Sequence, residues 1–362
     1  MKKRVISMWE RIKKILLKSS CNLIGIDIGT GSIKLVEIAW QHDKPVLKNF
    51  AIQELPDNTI EDGRIIDSQQ LTRTLSQLLG TTHTSTKNVV VAVGGRIMFA
   101  RELLFPAMTM AELGEAIKWD LEKYIPYAPN SYYFDYSIVG KGNTETEIKV
   151  LLVAAPIDNV TSIINIIKSV GLKLIAVDVE PLALYRIFTD AERAMVIDIG
   201  ALLSQVTVFQ NGSPAVIRNI PIGGQNFTNV IMQTLKIEMN EAEKFKQQNL
   251  ILLQDNVATE YSEVKLQLEL LATEFARDIR RTADYYQQQN KEAIIDKVYI
   301  TGGGAKLGNL VQYLALQLDI SAVVHDPLAK LQIPASFDKM HLGRVAPQLG
   351  TAIGLALRGG EL

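Results

Sequence analysis

The sequence predicts an α/β fold, and two observations carry this prediction. Segments with the two-residue alternation of strands and segments with helical spacing follow one another along the 362 residues. In addition, a short phrase occurs twice, as Ile26-Asp27-Ile28-Gly29 and as Ile197-Asp198-Ile199-Gly200. Each copy is an apolar strand that ends in Asp, followed by a glycine turn and a second β-rich run. Two such hairpins facing each other would form a cleft suited to nucleotide phosphates.

The composition excludes several classes of protein. Hydrophobic residues make up 47% of the chain, as in globular proteins, and the single Cys21 rules out an intramolecular disulfide. The apolar runs are far shorter than the roughly 20 residues of a membrane helix. Residues 1–20 contain seven basic residues and one acidic residue, so the remainder of this chain of net charge −1 is acidic. A general nucleic-acid binder is therefore not expected.

Residues 1–21 read as a basic amphipathic extension. Val5, Met8 and Trp9 share one helical face with Ile12, and the lysines and arginines fall mainly on the other. Such a helix can lie on an anionic membrane surface. A solvated or loosely docked extension explains the same pattern, and both interpretations stay open.

The elements of the first half follow in chain order. We expect a strand–turn–strand unit over 23–40, a helix over 68–79 and a buried strand over 88–93. A small α+β unit is expected over about 88–172. Within it, Thr109 and Glu112 form a capping box at the start of a helix that Pro126 stops. The unit is completed by strands over 96–105, 132–139 and 147–154 and by a helix over 159–170.

The second half repeats this alternation. A strand over 174–179 leads to a helix opened by Pro181, and the second hairpin spans 194–210. The remaining predicted elements are strands over 215–220 and 298–301, and helices over 226–235, 241–247, 261–289, 307–318 and 350–357.

Five motifs contain residues with the chemistry of a nucleotide site. A glycine at each hairpin tip would let backbone N–H groups approach phosphate oxygens, and Lys34 adds a positive charge. Asp27 and Asp198, at the strand ends, can hold a hydrated Mg²⁺. The other motifs are Glu180 before Pro181, Glu243 with Lys246, and Gly302-Gly303-Gly304. Each also has an ordinary explanation, namely a tight turn, a helix-start acid or a surface ion pair.

The order of these motifs is more specific than any one of them, and it resembles the actin-like ATPase superfamily. Within it the chain is most similar to the PilM family of type IV pilus assembly. Four stretches carry this resemblance: 23–38 (LIGIDIGTGSIKLVEI), 116–135 (AIKWDLEKYIPYAPNSYYFD), 176–186 (AVDVEPLALYR) and 298–310 (VYITGGGAKLGNL).

The resemblance implies a two-lobed actin-like fold, a duplicated ribonuclease H-like fold with an inserted small α+β subdomain as in FtsA and PilM. The first lobe would span 22–192, with the insertion at about 88–172. The second would span 193–345, with a helical subdomain at about 225–292, and a helix in 346–362 would return to the first lobe.

The resemblance also implies ATP and Mg²⁺ between the lobes. The metal would be held through water by Asp27 and Asp198, and Glu180 would position a water. The implied nucleotide-binding residues are Gly29, Thr30, Gly31, Ser32, Lys34, Gly200, Ala201, Gly223, Gly224, Glu243, Lys246, Gly302, Gly303 and Gly304. In one place the chain departs from the superfamily, because Leu202 and Leu203 stand where small or hydroxylated residues are usual. Leucines offer no donors to phosphate, so we expect ATP binding with slow or absent hydrolysis.

The implied partner is the N-terminal cytoplasmic tail of the inner-membrane protein PilN, held in a groove between the first lobe and the inserted subdomain. Trp119, Tyr124, Ile125, Pro126 and Tyr127 are the candidate contacts. PilO and PilP would be linked indirectly, together with the assembly or retraction motor ATPases. The expected location is cytoplasmic, at the inner-membrane face.

Two alternatives remain. An FtsA-like division protein or filament former is one, although FtsA typically anchors through a C-terminal amphipathic helix and this chain has its basic amphipathic segment at the other end. A small-molecule kinase is the other, but this sequence shows no convincing general base in the first lobe.

Overall fold

A computed structural model describes residues 21–142, 144–188, 193–248, 252–254, 258–290 and 294–361. The predicted basic extension lies outside these residues, except for Cys21. The strands are β1 Leu23–Ile28, β2 Ser32–Gln41, β3 Lys44–Glu54, β4 Ile60–Glu61, β5 Arg64–Ile65, β6 Asn88–Val93, β7 Phe99–Pro106, β8 Tyr132–Lys141, β9 Glu147–Pro156, β10 Lys173–Val179, β11 Ala194–Ile199, β12 Ser204–Gln210, β13 Ser213–Ile220, β14 Lys297–Thr301 and β15 Ala322–Val324. The α-helices are α1 Ser68–Thr81, α2 Met110–Tyr124, α3 Ile157–Ser169, α4 Glu180–Tyr185, α5 Gly224–Leu235, α6 Met239–Gln248, α7 Ser262–Gln289, α8 Leu310–Leu318, α9 Lys339–Val345 and α10 Gly350–Leu357.

Two five-stranded sheets of matching design form the two lobes. Their strand orders are β10-β6-β1-β2-β3 and β13-β12-β11-β14-β15. In each, the strand with the repeated phrase pairs antiparallel with the next strand and parallel with a strand from further along the chain. The hairpin turns also close alike, since Gly29 N donates to Ser32 O at 3.1 Å and Gly200 N donates to Leu203 O at 3.0 Å. The repeated phrase therefore occupies the same place in both lobes.

The inserted subdomain is a three-stranded antiparallel sheet, in the order β7-β9-β8, with α2 packed on one face. Thr109 and Glu112 form the predicted capping box at the start of α2. The separate sheet and its helix lie within Phe99–Pro156, a narrower range than the expected 88–172. The difference arises because β6 pairs between β1 and β10, and α3 packs its apolar face on the first-lobe sheet.

The helix α10, late in the sequence, packs on the early strand β1. It packs against β1 so closely that a Cβ on Gly25 would lie 2.0 Å from the carbonyl oxygen of Ala352. All eight of its residues are buried, and four of them belong to a core that also contains β2 and β11 residues such as Val36 and Val196. A helix of small residues is required here because larger ones would not fit against the strand backbone.

Candidate nucleotide-binding cleft

A cavity of about 620 Å³ lies between the two lobes and is lined by residues of both. The lining brings together the first hairpin turn, Gly200 and Ala201 of the second, the carboxylate of Glu180, and the three glycines after β14. These segments are far apart in sequence and meet because both strands with the repeated phrase end at the cleft. Of the predicted nucleotide residues, only Gly223 does not line the cavity.

The first hairpin has open backbone and a cation at the cleft. Gly29, Thr30, Gly31 and Ser32 all line the cavity. The Lys34 Nζ lies 3.3 Å from the Asp27 Oδ2 and donates to the Ser32 carbonyl at 3.4 Å. Because the Lys34 side chain is only 15% exposed and is held beside the hairpin, its ammonium group can neutralise a phosphate with little rearrangement.

The second hairpin is anchored to the start of α5. Gly224 N donates to Gly200 O at 2.9 Å, and Gln225 N donates to Ala201 O at 2.8 Å. A Cβ on Gly223 would lie 2.5 Å from Ala201 O, so Gly223 supports this hairpin from behind. Two N–H groups of the helix N-terminus are thus already used within the protein, which leaves fewer donors for phosphate on this side.

The leucines of the second hairpin take different places. Leu203 lines the cavity, whereas Leu202 does not and is 44% exposed. The leucine that faces the cleft brings only apolar surface to it. This side of the cleft is therefore poorer in donors than the first hairpin.

Three carboxylates, from Asp27, Asp198 and Glu180, face the cavity together. Burial, with the nearby charges of Asp27 and Asp198, raises the pKa of Glu180 to about 8. Burial and the Asp27 carboxylate raise the pKa of Asp198 to about 6, against the opposing effect of Lys34. A cation bound among these groups would relieve their mutual repulsion and favour their charged forms.

The carboxylates of Asp27, Asp198 and Glu180 suit an ion that keeps its own water molecules. Among the described residues, no three acidic, histidine or cysteine side chains converge closely enough to hold a metal by themselves. A Mg²⁺ here would keep several waters and use phosphate oxygens as ligands, as this ion commonly does.

The Glu243–Lys246 pair is built into the wall of the cleft. The Lys246 Nζ donates to Glu243 Oε1 at 2.6 Å, to Thr228 Oγ1 at 2.7 Å and to Gly224 O at 3.1 Å. The lysine side chain is only 9% exposed. The pair is therefore more than a solvated surface ion pair, because it ties α6 to α5 at the cavity.

The surroundings of the three glycines after β14 differ in how strictly they require glycine. Gly302 has a φ of 85°, and a Cβ there would lie 2.3 Å from Asp198 Oδ1. A Cβ on Gly304 would lie 2.1 Å from Ile199 Cγ2. At Gly303, in contrast, the nearest atom would be 3.7 Å away, on Gln348. Packing explains Gly302 and Gly304, whereas a side chain at Gly303 would meet its neighbour only at an ordinary contact distance.

Several cleft residues were not predicted from the sequence. Lys306 lines the cavity, and burial lowers its pKa, with Arg344 adding to the effect. Gln205 is buried, its Nε2 lies 3.4 Å from Glu180 Oε2, and its Oε1 has no hydrogen-bond partner. Thr351, on α10, hydrogen-bonds to Asp198. Only Lys306 had a sequence signal, its place two residues after the glycines.

A second cavity, of about 340 Å³, lies where the hairpin β4–β5 meets the start of the inserted subdomain. We call it the groove, and its lining consists of Glu61, Asp62, Arg64, Ile66, Arg96, Ile97 and Tyr127.

Of the five predicted partner residues, Tyr127 lines the groove and donates a hydrogen bond to Ile97 O. Ile125 is 3% exposed and belongs to the subdomain core, where it is not accessible to a partner. Tyr124 packs edge-on against Phe105, Pro126 is exposed, and Trp119 is 84% exposed on α2. The sequence pattern did not distinguish these environments.

Within the described part of the chain, no helix is long and apolar enough to span a membrane. In comparisons with solved structures, the chain is similar to a PilM–PilN type IV pilus biogenesis complex (TM-score 0.82, 24% identity, covering 95% of this chain and 100% of that one). It also resembles the ethanolamine utilization protein EutJ of Carboxydothermus hydrogenoformans (TM-score 0.55, 17% identity, covering 95% of this chain and 93% of that one). A further match is MreB5 of Spiroplasma citri bound to AMPPNP (TM-score 0.53, 13% identity, covering 94% of this chain and 96% of that one). These likenesses confirm the predicted two-lobed actin-like fold.

The family comparison gives the assignment. The sequence model described as type IV pilus assembly protein PilM matches residues 25–360. That range includes both lobes and the inserted subdomain, and the match favours pilus assembly over the division-protein and kinase alternatives. The chain belongs to the PilM family of type IV pilus assembly proteins.

Proposed function

We propose that this protein is a cytoplasmic ATP-binding scaffold at the inner-membrane face, which binds the N-terminal tail of PilN and links the inner-membrane pilus complex to motor ATPases. The observation that carries the proposal is that one PilM-family chain has two separate cavities suited to ligands. One is the interlobe cleft, and the other is the groove beside the inserted subdomain. PilO and PilP would be reached indirectly, through PilN.

ATP is the ligand that best fits the cleft. The first hairpin and Lys34 would hold the β- and γ-phosphates, and the Gly302–Gly304 turn would accept the adenine against bare backbone. Lys246 and Glu243 would contact the ribose. A solved structure of similar fold, MreB5, is described as bound to the ATP analogue AMPPNP, which supports a nucleotide in this position.

Mg²⁺ would enter with the nucleotide. Asp27 and Asp198 would hold its waters, and the charge of the ion would offset the repulsion among the three carboxylates. Glu180 would orient a water near the terminal phosphate.

We propose that hydrolysis is slow or absent. Leu203 faces the cleft where a donor would be useful, and the backbone N–H groups of Gly224 and Gln225 are already bonded to the second hairpin. Preorganised donors aimed at developing charge commonly supply the largest part of catalysis, so their loss lowers turnover more than affinity. ATP would then act as a structural or switching ligand.

The groove fits a short peptide with both charged and apolar residues. Tyr127 provides apolar surface, and Ile66, 57% exposed, offers an anchor at the rim. Arg64 and Arg96 lie beside Glu61 and Asp62, so peptide charges of either sign find a partner there. A solved complex of PilM with PilN has a fold similar to this chain, which supports a PilN tail as the occupant.

Calorimetric titration of the protein with Mg-ATP, and separately with a synthetic PilN tail peptide, tests both sites. We expect Arg64→Glu to weaken peptide binding and to leave ATP binding unchanged. Lys118→Glu, a matched charge reversal on the exposed face of α2, should change neither. If the protein binds no ATP, or if Arg64→Glu binds the peptide as tightly as the wild type, the corresponding site is assigned incorrectly.

A further inference from the structure

We propose that the end of the first lobe opposite the cleft docks on an anionic lipid bilayer, together with residues 1–20. We call this surface the basic end, and it consists of residues 21–22, 41–44, 82–88, 168–173 and 359–361. The inference goes beyond the proposed function, which requires no direct contact between this chain and lipid.

The topology of the first-lobe sheet brings these segments together. Strands β1, β6 and β10 are parallel and lead into the cleft, so their first residues lie at the opposite edge of the sheet. The antiparallel strands β2 and β3 meet at this same edge, where Gln41 pairs with Lys44. Helices α1 and α3 run back toward it, since they end shortly before β6 and β10 begin. Cys21 therefore lies at this end, and its N donates to Gly359 O at 3.0 Å.

Four lysines surround the point where residues 1–20 join the sheet. In the strand order β10-β6-β1-β2-β3, Lys173 begins β10, Lys87 directly precedes β6, and Lys44 begins β3. Lys168 is the fourth, in the last turn of α3. Neighbouring strands are about 4.8 Å apart, so the five strand ends span roughly 20 Å. Cations thus lie on both sides of β1, the strand that residues 1–20 enter.

The basic end has an excess of positive charge. All four lysines are exposed, and none of them forms an ion pair with another residue that the structure describes. Two acidic residues lie at the same end, and one of them, Glu361, is already paired with Arg186 Nε at 2.9 Å. Asp43, in the turn between β2 and β3, is the other. Residues 1–20 add seven basic residues against one acidic residue.

The opposite charge is concentrated on the remainder of the molecule. Because the whole chain has a net charge of −1, the residues outside this end have an excess of acidic groups. An anionic membrane attracts Lys and Arg side chains within about a Debye length of its surface, roughly 8 Å at physiological salt. The charge distribution therefore turns the basic end toward such a surface and keeps the acidic remainder away from it.

A lipid surface explains the sequence of residues 1–20 better than a nucleic acid does. Val5, Met8, Trp9 and Ile12 recur at helical spacing, with basic residues between them. A bilayer offers acyl chains to these apolar side chains and anionic headgroups to the cations, whereas a nucleic-acid backbone offers charge alone. Residues 1–20 contribute only their sequence pattern here, because they lie outside the described part of the chain.

This orientation keeps the cleft away from the bilayer. The strand β1 runs from Leu23 at the basic end to Ile28 at the cleft, and its six residues span roughly 20 Å. Nucleotide would therefore enter and leave on the side that faces away from the lipid.

Vesicle flotation of the full chain tests the proposal. The vesicles consist of phosphatidylcholine with and without phosphatidylglycerol, at low and at high salt. We expect the bound fraction to rise with the phosphatidylglycerol content and to fall with added salt. Equal binding to pure phosphatidylcholine, or no binding to either vesicle, overturns the proposal. Tighter binding to duplex DNA than to anionic vesicles at the same salt concentration also overturns it, and would make a nucleic acid the partner.

Charge reversals test the basic end itself. Lys44→Glu, Lys87→Glu and Lys173→Glu, combined in one protein, should lower partition into anionic vesicles about tenfold or more. The Tm should stay near that of the wild type, because these three side chains are exposed. The matched control reverses three exposed lysines elsewhere on the surface and should lower the partition much less; they are Lys118, Lys244 and Lys339. If both triple variants bind the vesicles alike, the basic end is not the docking surface.

A variant with the opposite expected sign keeps the proposal testable even if the triple reversal does not fold. Asp43→Asn removes an acidic group from the basic end, and Asn tolerates the φ of 60° found at this position. Partition into anionic vesicles should rise up to about fivefold. Unchanged or weaker binding of Asp43→Asn would show that the turn between β2 and β3 does not face the lipid.

Discussion

The packing of α10 on α4 makes Gly354→Ala a sharp test of the structure. A Cβ at this position would lie 1.8 Å from Ala183 O and 2.5 Å from the carbonyl carbon. Both are backbone atoms of α4, the helix that begins with Glu180. To restore an ordinary contact of 3.4 Å, the two helices would have to separate by the difference of 1.6 Å.

The expected cost follows from this displacement. Overpacking of a rigid core typically destabilises by 1–3 kcal/mol, and the backbone contact places this case at about 3 kcal/mol. Replacing glycine by alanine within a helix offsets about 1 kcal/mol. The net loss is about 2 kcal/mol, which corresponds to a fall in Tm of roughly 3 °C for a chain of 362 residues.

Thermal unfolding of three proteins, followed by circular dichroism without ligand, checks this value. The matched control is Gly343→Ala on the exposed helix α9, where the new Cβ meets no atom within 4 Å. The same chemical change should there stabilise by about 0.5–1 kcal/mol. Opposite signs for the two variants support the described packing. A Tm for Gly354→Ala at or above that of the wild type would refute it.

Three further predictions concern the cleft and one half-buried histidine ring. Lys246→Ala should raise the Kd of Mg-ATP about tenfold by calorimetry, because it removes three hydrogen bonds of the cleft wall, and Lys244→Ala on the same helix should not. Gly303→Val should weaken ATP binding at least as much with little change in Tm, since its Cβ would meet the Gln348 side chain only at an ordinary contact distance of 3.7 Å; a clearly lower Tm would contradict this. Burial lowers the pKa of His325 to about 4, below its unfolded value of 6.5, so folding excludes a proton. The contribution of neutral His325 to the free energy of unfolding is fully present above pH 6.5 and is lost as the pH falls toward 4. His325→Phe, which cannot take up a proton, should flatten the pH dependence of Tm in that window.

Local signals in the sequence identified the parts of the site that depend on the local chain. The two hairpins, the capping box at Thr109 and the glycines after β14 are all specified by residues within a few positions of one another. The helix α10 has the predicted bounds, 350–357, because an uninterrupted run of small and apolar residues between a glycine and Arg358 leaves few alternatives.

Long-range pairing accounts for what could not be predicted. The strand β3 was missed because it has a bulge opposite Glu37 and Ile38 and a half-buried pattern without clean alternation. The assignment of β6 to the inserted subdomain failed because nothing in its sequence shows that it pairs with β1 and β10. Gln205 gave no signal for the same reason, since its neighbour Glu180 is brought near only by folding.

The position of α10 has a consequence for synthesis in the cell. The strand β1 emerges early, yet the face it shares with α10 is covered only after the ribosome has added more than 300 further residues. At about 5–20 residues per second this takes roughly half a minute, during which Leu23 and its neighbours lack their final contacts. Chaperones that shield apolar sheet faces would be needed in that interval, and a chain shortened before Gly350 would leave both lobes with an uncovered core.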